Sequence, residues 1–216
     1  MRHVPYHTHS MTPASRKMKL TDKHIIQLRT SIDKIYPLGN ECWTEIEPFI
    51  YIKELDNNEY FSKEGQLTKE LGLISNGILR IFYLNEKGEE WNKLFLQKND
   101  FVAAGISPEK KSITNIQALS KTIILCIPYA ELIKISTRHK EINSFIQKLT
   151  FEYLELKQAR EIRLLSEEAM SNYLLFRSTF PDLESKIQHY HIASYLGITP
   201  TQLSRLRKKM NTYQQM

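Results

Sequence analysis

Hydrophobic positions change their period several times along this chain, and each change marks a different kind of structure. From Thr21 to about Ile35, the residues Ile25, Leu28, Ile32 and Ile35 recur every three or four positions behind Thr21 and Asp22, which predicts a helix with one buried side. A second short helix is expected over Cys42 to Glu47. After Pro48 the texture becomes short β-branched and aromatic runs: FIYIKEL from Phe49, EYFSKEG, LGLISNG, ILRIFYLNEKGEEWNKLFL, then ITNIQAL and TIILCIP. Turn residues at Asn58, Glu64-Gly65, Asn76-Gly77, Asn85 to Gly88 and Asn99-Asp100 separate them, so an antiparallel sandwich or barrel is predicted between about residues 48 and 128.

The helical period returns near Tyr129 or Glu131. From about His139 to Leu165 it runs without Gly or Pro, and Ile142, Phe145, Ile146, Leu149, Tyr153, Leu156 and Ala159 form an apolar seam. Such a seam suits either a partner helix or the chain's own domain, and periodicity does not separate the two. The length favours a protruding helix, so Ile142, Phe145, Ile146, Leu149, Tyr153 and Leu156 are taken as a dimer interface. Ser166, Glu167 and Glu168 read as a fresh helix start, running through Tyr173, Leu174 and Phe176 to a stop at Pro181.

The stretch Tyr190 to Met210 reads as two helices joined by a tight turn. Ile192, Ala193 and Leu196 give the first a buried stripe, and Gly197 stands where a left-handed residue ends a helix. Thr199 as N-cap, Pro200 at the first helical position and Gln202 three residues after the cap form a capping box, with Ile198 placed to pack on Leu203. Leu203, Leu206 and Met210 share the inner face; Thr201, Ser204, Arg205 and Lys208 fall outward, with Lys209 at the edge. No acidic residue follows Glu184. A guanidinium at Arg205 can bond a guanine edge bidentately, Thr201 and Ser204 are short enough for base edges or thymine methyls, and the lysines and the amides near Thr199 suit phosphate oxygens. Thr199, Thr201, Gln202, Ser204, Arg205, Lys208 and Lys209 are therefore the candidate contacts to double-stranded DNA.

At 216 residues and 41% hydrophobic, the chain can bury a proper core in one large or two modest domains. Its net charge of +6 favours polyanionic partners, though a membrane surface or RNA would fit that total equally. Cys42 and Cys126 match no close metal-ligand spacing and read as buried thiols of a reducing, cytoplasmic environment. No run approaches the ~20 apolar residues of a spanning helix, and no signal peptide opens the chain, so no membrane partner is expected. Residues 1 to about 20 read as a polar tail whose His3, His7 and His9 lack a scaffold for metal; Met11 and Met18 are alternative translation starts.

A β-rich domain, a long helix and a C-terminal helix-turn-helix, in this order and at these lengths, resemble the Crp/Fnr family of bacterial transcription regulators. SNGILRIFYLNEKGEEW, NDF at residues 99 to 101, IQAL at 116 to 119 and IASYLGITPTQLSRLRKK look like the branch common in Bacteroidetes. The resemblance implies an α+β chain with an antiparallel β-roll of the cyclic-nucleotide-binding kind, a long dimerisation helix and a C-terminal helix-turn-helix domain. The boundaries expected are a tail at 1–20, a sensor at 21–137, the dimerisation helix at 138–165 and the DNA-binding domain at 166–216. It implies a homodimer on an inverted repeat with half-sites about one helical turn (~34 Å) apart. RNA polymerase stands among the partners such a regulator engages.

The sensor departs from the family pattern. Cyclic-AMP binders carry a Gly-Glu pair for the ribose and an Arg for the phosphate; here Ala103 and Ala104 stand at the pair, and Ser112 or Ile113 near the Arg. A buried phosphate without a guanidinium is poorly compensated, so cyclic AMP is not expected to bind. Lys110 and Lys111 are the substitutes within reach, but adjacent lysines on a polar loop usually stay solvated. Ala103, Ala104, Ser112, Ile113 and Thr114 are the candidate pocket for an unidentified small-molecule effector, if the site takes any ligand. An iron-sulfur sensor lacks its cysteine cluster, and a haem sensor lacks a ligand, since no histidine occurs between His24 and His139. The same gap argues against a metal-dependent β-barrel enzyme of the cupin kind. No cofactor, no resident metal and no catalysis are expected. The remaining alternative keeps the fold but replaces DNA with a protein partner.

Overall fold

The computed structural model describes residues 18–105 and 109–213; the tail histidines, Met11 and residues 106–108 of the sensor loop lie outside the described residues. Four helical segments frame the start of the chain and the end of the β region: α1 (Asp22–Ile35), α2 (Asn40–Ile46), α3 (Tyr129–Ser136) and α4 (Lys140–Ser166). Between them run β1 (Tyr51–Leu55), β2 (Tyr60–Ser62), β3 (Glu70–Asn76), β4 (Leu79–Leu84), β5 (Glu90–Leu96), β6 (Phe101–Ala103), β7 (Asn115–Ala118) and β8 (Thr122–Pro128). They form two four-stranded antiparallel sheets, in the orders β1-β8-β3-β6 and β2-β7-β4-β5.

Alternation along the central strands explains why their sequences look apolar throughout. On β8, Ile124 and Cys126 point between the sheets, where they meet Leu55, Ile74, Leu79, Ile81 and Ile116. Leu125 and Ile127 point the other way, onto Leu28, Ile32, Trp43, Leu132, Ile142 and Phe145 of the helices. One face of the first sheet is thus roofed by helices, and a strand buried on both sides carries no polar alternation.

The C-terminal unit comprises α5 (Ala169–Thr179), α6 (Leu183–Lys186), α7 (His189–Leu196) and α8 (Pro200–Tyr213). Its core joins Tyr173, Phe176, Phe180, Leu183, Ile192, Leu196, Leu203 and Met210 to Ile78 and Phe95 of the β region. Phe95 meets Phe176, Phe180 and Tyr195 at ring separations of 6.2, 5.9 and 5.3 Å, so the two units share an aromatic seam. Ser166 closes α4 instead of opening the next helix, which starts three residues later.

The structure buries part of the expected dimer interface in the chain's own core. Ile142 and Phe145 are 0% and 2% exposed and belong to the core beneath α1 and α3, with Ile146 and Leu149 packed on the same cluster. Tyr153 and Leu156 continue that side of α4 at the edge of a cleft against the chain's own β5 and α5, Tyr153 half-buried and Leu156 64% exposed. The helix has a second apolar stripe on its opposite side: Phe151, Leu154, Ile162 and Leu165, at 55%, 42%, 56% and 85% exposure. With Gln158 they follow spacings of 3, 4, 4 and 3, an arc of roughly 80° at 100° per residue.

Candidate nucleic-acid interface

The hairpin of α7 and α8 is built as its local sequence dictates. Gly197 has φ +69° and closes α7, with the Ile198 amide donating to the Ala193 carbonyl at 3.0 Å. The Thr199 amide donates to Gln202 Oε1 at 2.8 Å, and the Gln202 amide donates to Thr199 Oγ1 at 3.2 Å, which is the reciprocal cap. Leu203 and Met210 are buried and Leu206 is half-buried against α7, so the rotation of α8 about its axis is fixed.

That rotation leaves Thr199, Thr201, Gln202, Ser204, Arg205, Lys208 and Lys209 exposed. The structure thus brings all the sequence-derived candidates to one outward side, although the Thr199 hydroxyl and Gln202 Oε1 are already used by the cap. Arg207, the remaining cation of this helix, faces back: its Nε is 2.7 Å from Glu184 Oε1, and Glu184 also accepts from Tyr173 Oη at 2.8 Å. Glu184 is thereby turned from the exposed side toward α5, keeping carboxylates off the ridge.

The opposite side of the hairpin docks on β4 and β5, and sequence reading missed these residues. Arg80 is 3% exposed; its Nε donates to Gln117 Oε1 at 2.9 Å, it pairs with Glu90, and Nη1 lies 3.1 Å from His191 Nδ1. Guanidinium nitrogens only donate, so His191 Nδ1 is the acceptor and the ring is neutral. Burial and the adjacent Arg80 charge lower the His191 pKa to about 4. Asn92 Nδ2 donates to the His191 carbonyl at 3.0 Å, and Ser194 Oγ donates to the Glu90 carbonyl at 2.9 Å. The one sequence signal was a charged Arg80 inside the apolar run ILRIFYL.

The sensor loop holds fewer of its candidates together. Ala104, Ser112 and Thr114 are buried and Ala103 is half-buried, but Ile113 is 78% exposed, at a bend that Ser112 and Thr114 close by bonding each other. Ile113 is therefore removed from the pocket. Ser112 Oγ donates to the Thr114 carbonyl at 2.8 Å, while Ser62 Oγ and Thr68 Oγ1 are buried without a partner among the described residues. Lys110 and Lys111 are exposed, whereas Lys53, on the same face of β1 as Leu55, lies 4.8 Å over the Phe61 ring between the sheets and is paired with Glu70.

A larger cavity, about 1360 Å³, lies between β5, α4 and α5. Lys93 sits at a bulge where Ile81 pairs with Leu94 and Phe82 with Asn92, and it enters the cleft beside Lys157 and Arg160. Burial, then the Lys157 and Arg160 charges, lower the Lys93 pKa. Arg160 Nη2 donates to the Tyr195 carbonyl at 2.6 Å and to the Asn92 carbonyl at 3.3 Å, tying α4 to α7 and β5.

Solved structures match this architecture of a double-sheet roll, a long helix and a helix-turn-helix docked by its first helix, one of them named as of the Crp/Fnr family. FixK2 from Bradyrhizobium japonicum superposes with TM-score 0.67 at 16% identity over 76% of this chain and 85% of its own. The c-di-GMP-responsive global regulator CLP of Xanthomonas campestris gives 0.64 at 14% identity, over 81% and 92%. A putative Crp/Fnr-family transcriptional regulator of Eubacterium rectale gives 0.63 at 17% identity, over 82% and 85%. No protein-family model and no curated protein matches the sequence. The likeness at these identities is one of fold. Among the described residues no helix is long and apolar enough to cross a membrane.

Proposed function

We propose that this chain is a sequence-specific DNA-binding transcription regulator that acts on an inverted repeat as a homodimer in the cytoplasm. The observation that carries the reading is the outward side of α8, where Arg205, Lys208 and Lys209 are exposed with Thr201 and Ser204 on a helix whose own sequence has no acidic residue. Capping and packing fix the helix in one orientation, so the ridge is preorganised for a major groove. The two fold neighbours named as regulators, from Xanthomonas campestris and Eubacterium rectale, support the same reading. Dimerisation is assigned to the exposed stripe Phe151, Leu154, Ile162 and Leu165, which would place two α8 helices on one side of the assembly.

The sensing reading is that cyclic AMP is not the effector, because Ser112 and Ile113 stand near the place of the phosphate-binding Arg and the inward-facing Lys53 is already paired with Glu70. The cleft of Lys93, Lys157 and Arg160 suits an anionic effector better, and an anion there would neutralise three converging charges while bridging both units. RNA polymerase is a partner consistent with this role, and catalysis forms no part of it.

Binding of the chain to its own promoter region, followed by gel shift and footprinting, tests the assignment. A protected inverted repeat with half-sites about 34 Å apart is expected. Arg205→Ala is expected to erase preference at one base pair of each half-site. Binding that survives both Arg205→Ala and Lys208→Ala unchanged would show that α8 does not read the groove.

A further inference from the structure

A cluster of chemically unlike ligands lies far from α8, where the N-terminus of α4 meets α2. Cys42 Sγ, one ring nitrogen of His139 and one carboxylate oxygen of Glu141 lie within 4.8 Å of one another. Cys42 is fully buried, whereas His139 and Glu141 are half-buried and open a route from solvent. We propose that Cys42, His139 and Glu141 bind a single divalent ion of the zinc class.

Glu45, Arg138 and the Gly39 amide orient His139 and Glu141 from outside the trio. His139 Nε2 lies 3.1 Å from Glu45 Oε1, and Arg138 pairs with the other oxygen of Glu45. With Nε2–H donated to that carboxylate, the tautomer is fixed and Nδ1 presents its lone pair toward Glu141 Oε2, 3.7 Å away. The Gly39 amide donates to Glu141 Oε1 at 2.9 Å, leaving Oε2 for the ion. A side chain at position 39 would put its Cβ 2.9 Å from Glu141 Oε1, so this grip on the carboxylate requires glycine. Zinc bonds of about 2.0–2.3 Å place tetrahedral ligand atoms roughly 3.3–3.7 Å apart, which the trio reaches by side-chain adjustments of about 1 Å. Thiolate, imidazole and carboxylate together select a borderline ion over magnesium or calcium, and three protein ligands leave a fourth position for water. Bound there, the ion would clamp α2 to the start of α4.

Cobalt(II) titration of the full chain, stripped with a chelator and kept reduced, tests the site. One equivalent should bind with a thiolate-to-cobalt charge-transfer band and tetrahedral visible absorption, and zinc should displace it. Cys42→Ala should abolish the band; Cys126→Ala, in the sheet core, should keep it. Histidines of the tail supply only nitrogen ligands and give no thiolate band. Glu45→Gln, which reaches the ion only through His139, should weaken cobalt binding about 10- to 100-fold with an unchanged circular-dichroism spectrum. The absence of a charge-transfer band in the parent chain, or a band that survives Cys42→Ala, would overturn the assignment.

Discussion

On the proposed function, single side chains on α8 divide the work of DNA binding between reading and holding. Arg205 forms no ion pair among the described residues, and its bidentate fork fits a guanine edge; losing it should cost about 1–3 kcal/mol at the cognate base and nearly nothing elsewhere. Lys208→Ala should instead weaken all sequences alike and reduce the slope of log K against log salt by about one. His191 titrates on the other side of the hairpin. In the unfolded chain it takes a proton near pH 6.5, but folded it does so only near pH 4. Between these values the unfolded state binds more protons, so stability falls as pH falls from about 6.5 to 4, and this group adds no further loss below that. Urea unfolding of the parent and of His191→Asn across this range should show a steeper slope in the parent. Lys93→Met removes a desolvated cation beside two others and should raise the melting temperature of the chain measured without added anions.

Among the elements, α8 is the most locally determined. Gly197→Ala should cost about 1–2 kcal/mol for a left-handed residue with a Cβ, and Thr199→Ala about 0.5–2 kcal/mol for a lost cap, both read from urea midpoints. The long helix α4 behaves differently because it carries apolar residues on two sides. Its period was legible, but the side chosen from it was the inner one, since Ile142 and Phe145 follow the same 3–4 rhythm as Phe151 and Leu154. Nothing in the rhythm says which stripe the roof of α1 and α3 covers. Leu154→Glu with Ile162→Glu should give a folded monomer by analytical ultracentrifugation, with affinity for the inverted repeat reduced by two orders of magnitude or more, as expected from lost avidity. Ile142→Glu should instead unfold the sensor half, because it buries an unpaired charge.

Across the whole molecule, docking decides what the hairpin can do. The contacts of Arg80, Asn92 and Arg160 to His191, Ser194 and Tyr195 set the angle at which α8 leaves the body, so an effector that shifts β5 against α4 reorients α8 as well. The sequence by itself determined the elements and the C-terminal hairpin, because strand alternation, a capping box and a left-handed glycine depend on neighbours within a few residues. It also placed the exposed side of α8, since a 3.6-residue period and a buried Leu203 leave one side outward. The tertiary structure alone decided which stripe of α4 is exposed, that Ile113 leaves the sensor loop, and that Arg80 meets His191 across 111 residues of chain. It likewise brought Cys42 beside His139, residues whose separation along the chain hides any ligand spacing. Those outcomes depend on which surfaces the packed sheets and helices cover, and a one-dimensional pattern carries no record of what will lie on top of it.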